Sequence, residues 1–158
     1  MLYKERKKSH IVLHVLGVVA YVLYVSMSDI YPLLPPLVGV LFLIFHRHYN
    51  DKNIYIPILV ILCVFYYEFD KSLVVGIMPC VFFIVHLFIA SRLESFLTLN
   101  IFFLVFYVAS CYMLYIAGML LCNIIFKTPV LDFSSVYMYY AIVDAAFMLL
   151  YYFIFIKE

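Results

Sequence analysis

Asp144 lies in the run YYAIVDAAFMLL and is the one acidic residue well inside an apolar segment of this chain. A carboxylate surrounded by hydrocarbon is costly unless it is paired or protonated, so it is by default a candidate for function. Three uses fit it: a hydrogen bond between helices beside the small residues Ala141, Ala145 and Ala146, a contact with a partner, or the handling of an ion or proton. His14 and His86 also fall in apolar segments, but on different ones and with no ligand-type residue four positions after either. Hydrogen bonds between helices are therefore expected of them rather than a metal site. His46, Arg47 and His48 sit in the basic run HRHYNDKN and read as a solvated turn. Asn100, Ser110 and Asn123 are scattered along the fifth apolar segment, too far apart to form a relay with Asp144. Glu68 and Asp70 stand beside Lys71 at the end of the third, where they read either as a surface ion pair or as a docking contact for a partner with an outer-side domain.

Signatures of catalysis are absent. The chain has no G-x-S-x-G, no H-E-x-x-H, no carboxylate pair at i and i+3 on one helix, and only four glycines from which to build a phosphate loop. The four cysteines, Cys63, Cys80, Cys111 and Cys122, each lie in an apolar run without C-x-x-C spacing and read as small packing residues. An enzyme is not expected, nor a cofactor, a metal or a nucleic-acid partner.

The elements that must hold these residues follow from composition. The 158 residues are 69% hydrophobic and 12% charged. A soluble domain has about 45–50% and about 25%, so lipid is the expected solvent. Apolar segments run over about 10–27, 31–45, 54–67, 73–90, 97–126 and 136–156, separated by short polar stretches that carry most of the charge. The expectation is an all-α polytopic membrane protein, a single integral domain of six transmembrane helices. The first segment lacks a small-x-small cleavage site and reads as a retained span rather than a signal peptide. Pro32, Pro35 and Pro36 fall in the first turns of the second segment and Pro57 in those of the third, where a missing N–H matters least. Pro79 lies inside the fourth and is expected to kink it near Gly76.

Orientation follows from the basic residues. With the N-terminus inside, Lys4, Arg6, Lys7, Lys8, Arg47, Lys52, Arg92 and Lys157 are cytoplasmic, and only Lys71 and Lys127 are outside. That bias places both termini in the cytoplasm and treats the two short segments as true crossings. Tyrosine pairs at segment ends, Tyr66-Tyr67, Tyr139-Tyr140 and Tyr151-Tyr152, suit the headgroup level.

From Pro36 onward the order of features resembles the rod-shape-determining MreD family of bacterial inner-membrane proteins. The resemblance rests on LLPPLVGVLFLIF opening the second span, on EFDKSLVVG with Asp70, Ser72, Leu73 and Gly76, and on ASRLESFLTLN with Ser91, Arg92 and Asn100 before a long fifth span. It departs from the family in its glycine-free third span, IYIPILVILCVFYY, and in Asp144. The resemblance implies a multi-pass protein of the bacterial inner membrane. It implies a non-catalytic scaffold of lateral peptidoglycan synthesis that binds an MreC-like bitopic protein and, with the MreB filament, a RodA-type polymerase and a class-B penicillin-binding transpeptidase. Candidate partner contacts are Asp70, Arg92, Gly118, Asp144 and Ala145, the small residues Ala109, Ser110, Ala117 and Ala141 extending two of these faces. The same small residues would equally serve to close the protein's own bundle. Two other classes remain open: a small-molecule-binding subunit of a vitamin-type importer, which needs an outward cavity with convergent polar groups, and an accessory subunit of another membrane complex.

Overall fold

The computed structural model describes residues 2–31, 33–50, 54–90, 101–126 and 136–155, with side chains at 15–31, 33–49, 54–88, 102–126 and 136–154. Every regular element among them is helical: α1 (Leu2–Ile30), α2 (Val38–Asn50), α3 (Tyr55–Asp70), α4 (Ile77–Ile84, continuing as a π-helical turn over Val85–Ala90), α5 (Ile101–Phe126) and α6 (Val136–Phe155). Two stretches, Phe102–Phe126 and Val136–Ile154, are long and apolar enough to cross a membrane. Arg92 and Asn100, both singled out by sequence, lie outside the described residues.

Short α2 occupies the middle. It packs on α3, α5 and α6, while α1 lies on α3, and α4 bridges α3 and α5. Burial on α2 is nearly all round, taking in Val38, Leu41, Phe42, Leu43 and Phe45. Phe42 meets Phe82 of α4 edge-on at 5.5 Å and Tyr107 of α5 at 5.8 Å, so the centre is an interlock of rings from three helices. Such ring pairs add close packing beyond the area that they bury.

Several boundaries differ from the sequence expectation, each for a local reason. Pro35 and Pro36 precede α2 instead of opening it. The hydroxyls of Tyr24 and Tyr21, one turn apart on α1, donate to the Pro35 and Pro36 carbonyls at 2.7 and 3.3 Å and pin this stretch to α1. The helix begins after Leu37, which adopts a left-handed φ of 55°. Pro79 does not kink a long helix, because α4 starts only at Ile77 and Pro79 falls in its first turn. The break is supplied by residues 71–76. Ser72 has a φ of 52°, its N–H donates to the Phe69 carbonyl at 3.1 Å, and the Leu73 N–H donates to the Glu68 carbonyl at 2.9 Å. That is the Schellman ending of a helix. Gly76 follows with a φ of 102°, a conformation that glycine adopts without the penalty a Cβ brings. Pro57 does sit in the first turn of α3, as the sequence suggests.

Candidate functional site: carboxylate-held helix starts, a histidine pair and a tyrosine cavity

The first four N–H groups of any helix lack partners within it, and in an apolar interior each needs an acceptor from elsewhere. Here two buried carboxylates supply them. Asp144 on α6, 0% exposed, accepts from the Gly39 N–H in the first turn of α2 at 2.9 Å and from the Tyr112 hydroxyl of α5 at 3.1 Å. Both bonds end on Oδ2, and Oδ1 has no hydrogen-bond partner among the described residues. Glycine at 39 is what lets three helices converge on this carboxylate. A Cβ there would sit 2.6 Å from Val108 Cγ2, 3.3 Å from Met148 Sδ and 3.4 Å from Asp144 Oδ1.

Glu68 does the same for α4. It is not at the surface, as its place beside Asp70 and Lys71 suggests, but 0% exposed. Its Oε2 accepts from the Gly76 N–H and its Oε1 from the Met78 N–H, both at 2.7 Å. One residue thus ends α3 through its carbonyl and starts α4 through its side chain. The sequence reading missed this role, and the signal for it was the glycine and proline eight and eleven residues on, which mark a tight reversal with a helix start to satisfy.

Asp70 is half-buried, 3.7 Å from Lys71 Nζ, and its Oδ2 has no hydrogen-bond partner among the described residues. The main partner of Lys71 is instead Asp29 at the end of α1, which ties α1 to the α3–α4 corner. Gly118 faces inward, where a Cβ would lie 2.8 Å from Ile77 Cγ2 of α4. Ala141 and Ala145 pack against the core, whereas Ala109, Ala117 and Ala146 are exposed. Asn123 is half-buried on α5.

The basic stretch after Phe45 is not a solvated turn at its start. α2 continues through Asn50, which turns His46 inward. Its Nδ1 lies 2.8 Å from Nδ1 of His86 on the π-turn, and the two residues are 3% and 5% exposed. At that distance one Nδ1 donates and the other accepts, so the pair carries at most one Nδ1 proton between the facing atoms. His86 is therefore the interhelical hydrogen-bonder expected of it, with a partner that the sequence placed in a loop. Phe45 and Tyr49 flank His86 at ring separations of 5.9 and 4.4 Å. No group of three metal-ligating side chains occurs among the described residues.

A cavity of about 350 Å³ opens at the end of the bundle where α1 and α3 finish and α6 begins. Its walls carry five tyrosines, Tyr67, Tyr112, Tyr115, Tyr137 and Tyr140, with Asp29 and Lys71 at the rim. Tyr115 is 3% exposed, and its hydroxyl has no hydrogen-bond partner among the described residues. A second hollow of about 640 Å³, between α2, α3 and α4, is almost wholly apolar, with Phe45, Pro57, Ile61 and Phe83 among its walls.

Comparison with known protein families, curated proteins and solved structures finds no match to this chain.

Proposed function

We propose that this chain is a six-span protein of the bacterial inner membrane with both termini in the cytoplasm. In this reading it serves as a non-catalytic scaffold of the cell-elongation complex and binds an MreC-like bitopic protein. The observation that carries the reading is the uncovered side of α5, the helix with the highest apolar content among those long enough to cross. Phe102, Phe106, Ala109, Met113 and Ala117 recur along it at helical spacing and are all exposed. The two alanines let a foreign helix approach closely on either side of the adaptable Met113, which is how membrane helices gain packing energy. The proposed partner surface is therefore this side of α5, with Ala146 of α6 as a second exposed small residue. Gly118 and Ala145 would act from within, by holding α5 against α4 and α6 in place. Asp144 acts through architecture, since its bonds to Gly39 and Tyr112 set the position of α2.

The stretches that carry the family resemblance support the same reading. LLPPLVG leads into the α2 start held by Asp144, and EFDKSLVVG forms the α3–α4 corner held by Glu68. The six crossings rest on the distribution of Lys and Arg. α2, at about 20 Å by helical rise, is shorter than a hydrocarbon core of about 30 Å.

The test is affinity purification of the tagged chain from its own membranes in mild detergent, with mass spectrometry of what accompanies it. The reading predicts a bitopic MreC-like protein together with a RodA-type polymerase and a class-B transpeptidase. Recovery of an ATPase pair, or of an unrelated complex, would refute it.

A further inference from the structure

We infer that His46 and His86 form a proton-operated latch between α2 and the π-turn at the end of α4, closed near neutral pH and released by acid. The two rings meet with their Nδ1 atoms 2.8 Å apart and their centres 5.0 Å apart. Other rings enclose them. Phe42 stacks on His46 at 5.9 Å, Tyr107 of α5 lies 6.1 Å from it, and Phe45 and Tyr49 flank His86. Among the described residues, the groups facing the pair that can titrate or carry charge are Tyr49 from α2 and Tyr107 from α5, and Arg47 adjoins His46 in the chain. A phenol stays neutral and a guanidinium charged between pH 5 and 8, so of these groups only the imidazoles change charge in that range.

The proton count is what makes this contact a latch. At 2.8 Å the facing Nδ1 atoms share one proton, and a second would set N–H against N–H, with like charges on two buried rings that water does not screen. Two separated imidazoles in water, titrating near the ordinary value of about 6.5, both charge in acid. The released state therefore binds at least one proton more than the closed one, and well below about pH 6 release is favoured at least tenfold for each pH unit. Above about pH 7 the two states bind equal numbers of protons and the contact does not respond to pH. A second backbone state lies close by, since π-turns occur as single-turn insertions in α-helices, frequently at sites of function, and Val85–Ala90 is such a turn. The latch joins two walls of the apolar hollow of about 640 Å³. Phe45 and Tyr49 line that hollow from α2 and Phe83 from α4, and Phe45 meets Phe83 edge-on at 5.4 Å. Acid thus loosens the joint between those walls. The inference stands independently of the scaffold reading.

Two readings on the full chain in mild-detergent micelles test it. With nitrogen-15 in the histidine rings, a scalar coupling between the facing Nδ1 atoms reports the N–H···N bond directly, and it should be present at pH 7.5 and lost by pH 5. Amide exchange across 85–90, corrected for its intrinsic pH dependence, should show protection falling at least tenfold between pH 6 and pH 5, while protection across 141–150 of α6 stays level. The double variant His46→Leu with His86→Leu keeps two apolar side chains at the contact and removes both titrating rings, so its protection across 85–90 should not change over the same range. No coupling at pH 7.5, a coupling that persists at pH 5, protection in the parent that does not move with pH, or a double variant as pH-dependent as the parent would each overturn the latch.

Discussion

Replacing Asp144 with alanine removes one acceptor oxygen and leaves two donors stranded in the centre of the bundle. The Gly39 N–H at 2.9 Å and the Tyr112 hydroxyl at 3.1 Å both end on Oδ2. A buried donor left unmet costs about 1–3 kcal/mol, so two cost about 2–6. Against this, the substitution also removes a buried carboxylate, whose second oxygen is unpartnered. Hydrogen bonds between membrane helices moreover average only about 0.6 kcal/mol in measured cycles, because the unfolded state in lipid finds partners too. The net expectation for Asp144→Ala is a loss of about 1–3 kcal/mol. Asn keeps an acceptor oxygen at the same place and drops the charge, so Asp144→Asn should stay within about 1 kcal/mol of the parent. Adding Tyr112→Phe to Asp144→Ala deletes one stranded donor and should restore part of the loss. Reversible unfolding in mixed detergent micelles reads all four proteins. An Asn variant as damaged as the Ala variant would instead make the charge the stabilising feature and overturn the role given to the acceptor oxygen. Loss of complex function in a stable, assembled Asp144→Asn would assign the carboxylate to ion or proton handling.

Gly39→Ala drives a methyl to 2.6 Å from Val108 Cγ2 and should cost about 1–3 kcal/mol in the same assay, whereas Gly17→Ala, with nothing within 4 Å, should be neutral or stabilising by up to about 1. Glu68→Gln retains one acceptor for the start of α4 and should be mild. Glu68→Ala strands the Gly76 and Met78 N–H groups and should raise amide exchange across 76–80 while α5 stays protected. For the histidine pair, a double-mutant cycle of His46→Leu and His86→Leu should show a coupling of about 0.5–3 kcal/mol, with the double variant less damaged than the sum; additivity would mean that the 2.8 Å contact contributes nothing.

The helical class was legible from composition because a chain this apolar has few ways to satisfy its backbone. The described helices Ile101–Phe126 and Val136–Phe155 lie within the apolar segments read at 97–126 and 136–156, since long apolar runs bounded by polar stretches leave little choice. The segments around α2 and α4 were not. Their limits are set by tertiary acceptors: tyrosine hydroxyls from α1 fix the proline stretch before α2, and Glu68 fixes where α4 begins. Neither relation has a sequence period. Asp144 was legible as a residue that must have a purpose, and the interhelical bond beside small residues was one of the uses read for it. Its partner Gly39, 105 positions away, was not. His46 was misplaced for a related reason, because a basic run reads as solvent-facing even where one member of it turns inward on a helix. The cavity escaped notice because two of its tyrosines, Tyr67 and Tyr140, read as headgroup anchors in pairs at segment ends, and only the packing of α1, α3, α5 and α6 gathers them with the other three.

In the proposed scaffold, α5 presents its outer side to a partner helix. A photoreactive residue at Met113, 72% exposed between Ala109 and Ala117, tests it in intact cells, with Leu62 on α3, 57% exposed, as the matched control. The account predicts a crosslinked adduct between Met113 and a bitopic membrane protein, lost when Ala109 and Ala117 are both replaced by Leu, and no such adduct from Leu62. Protein adducts at Leu62 with none at Met113 would contradict it.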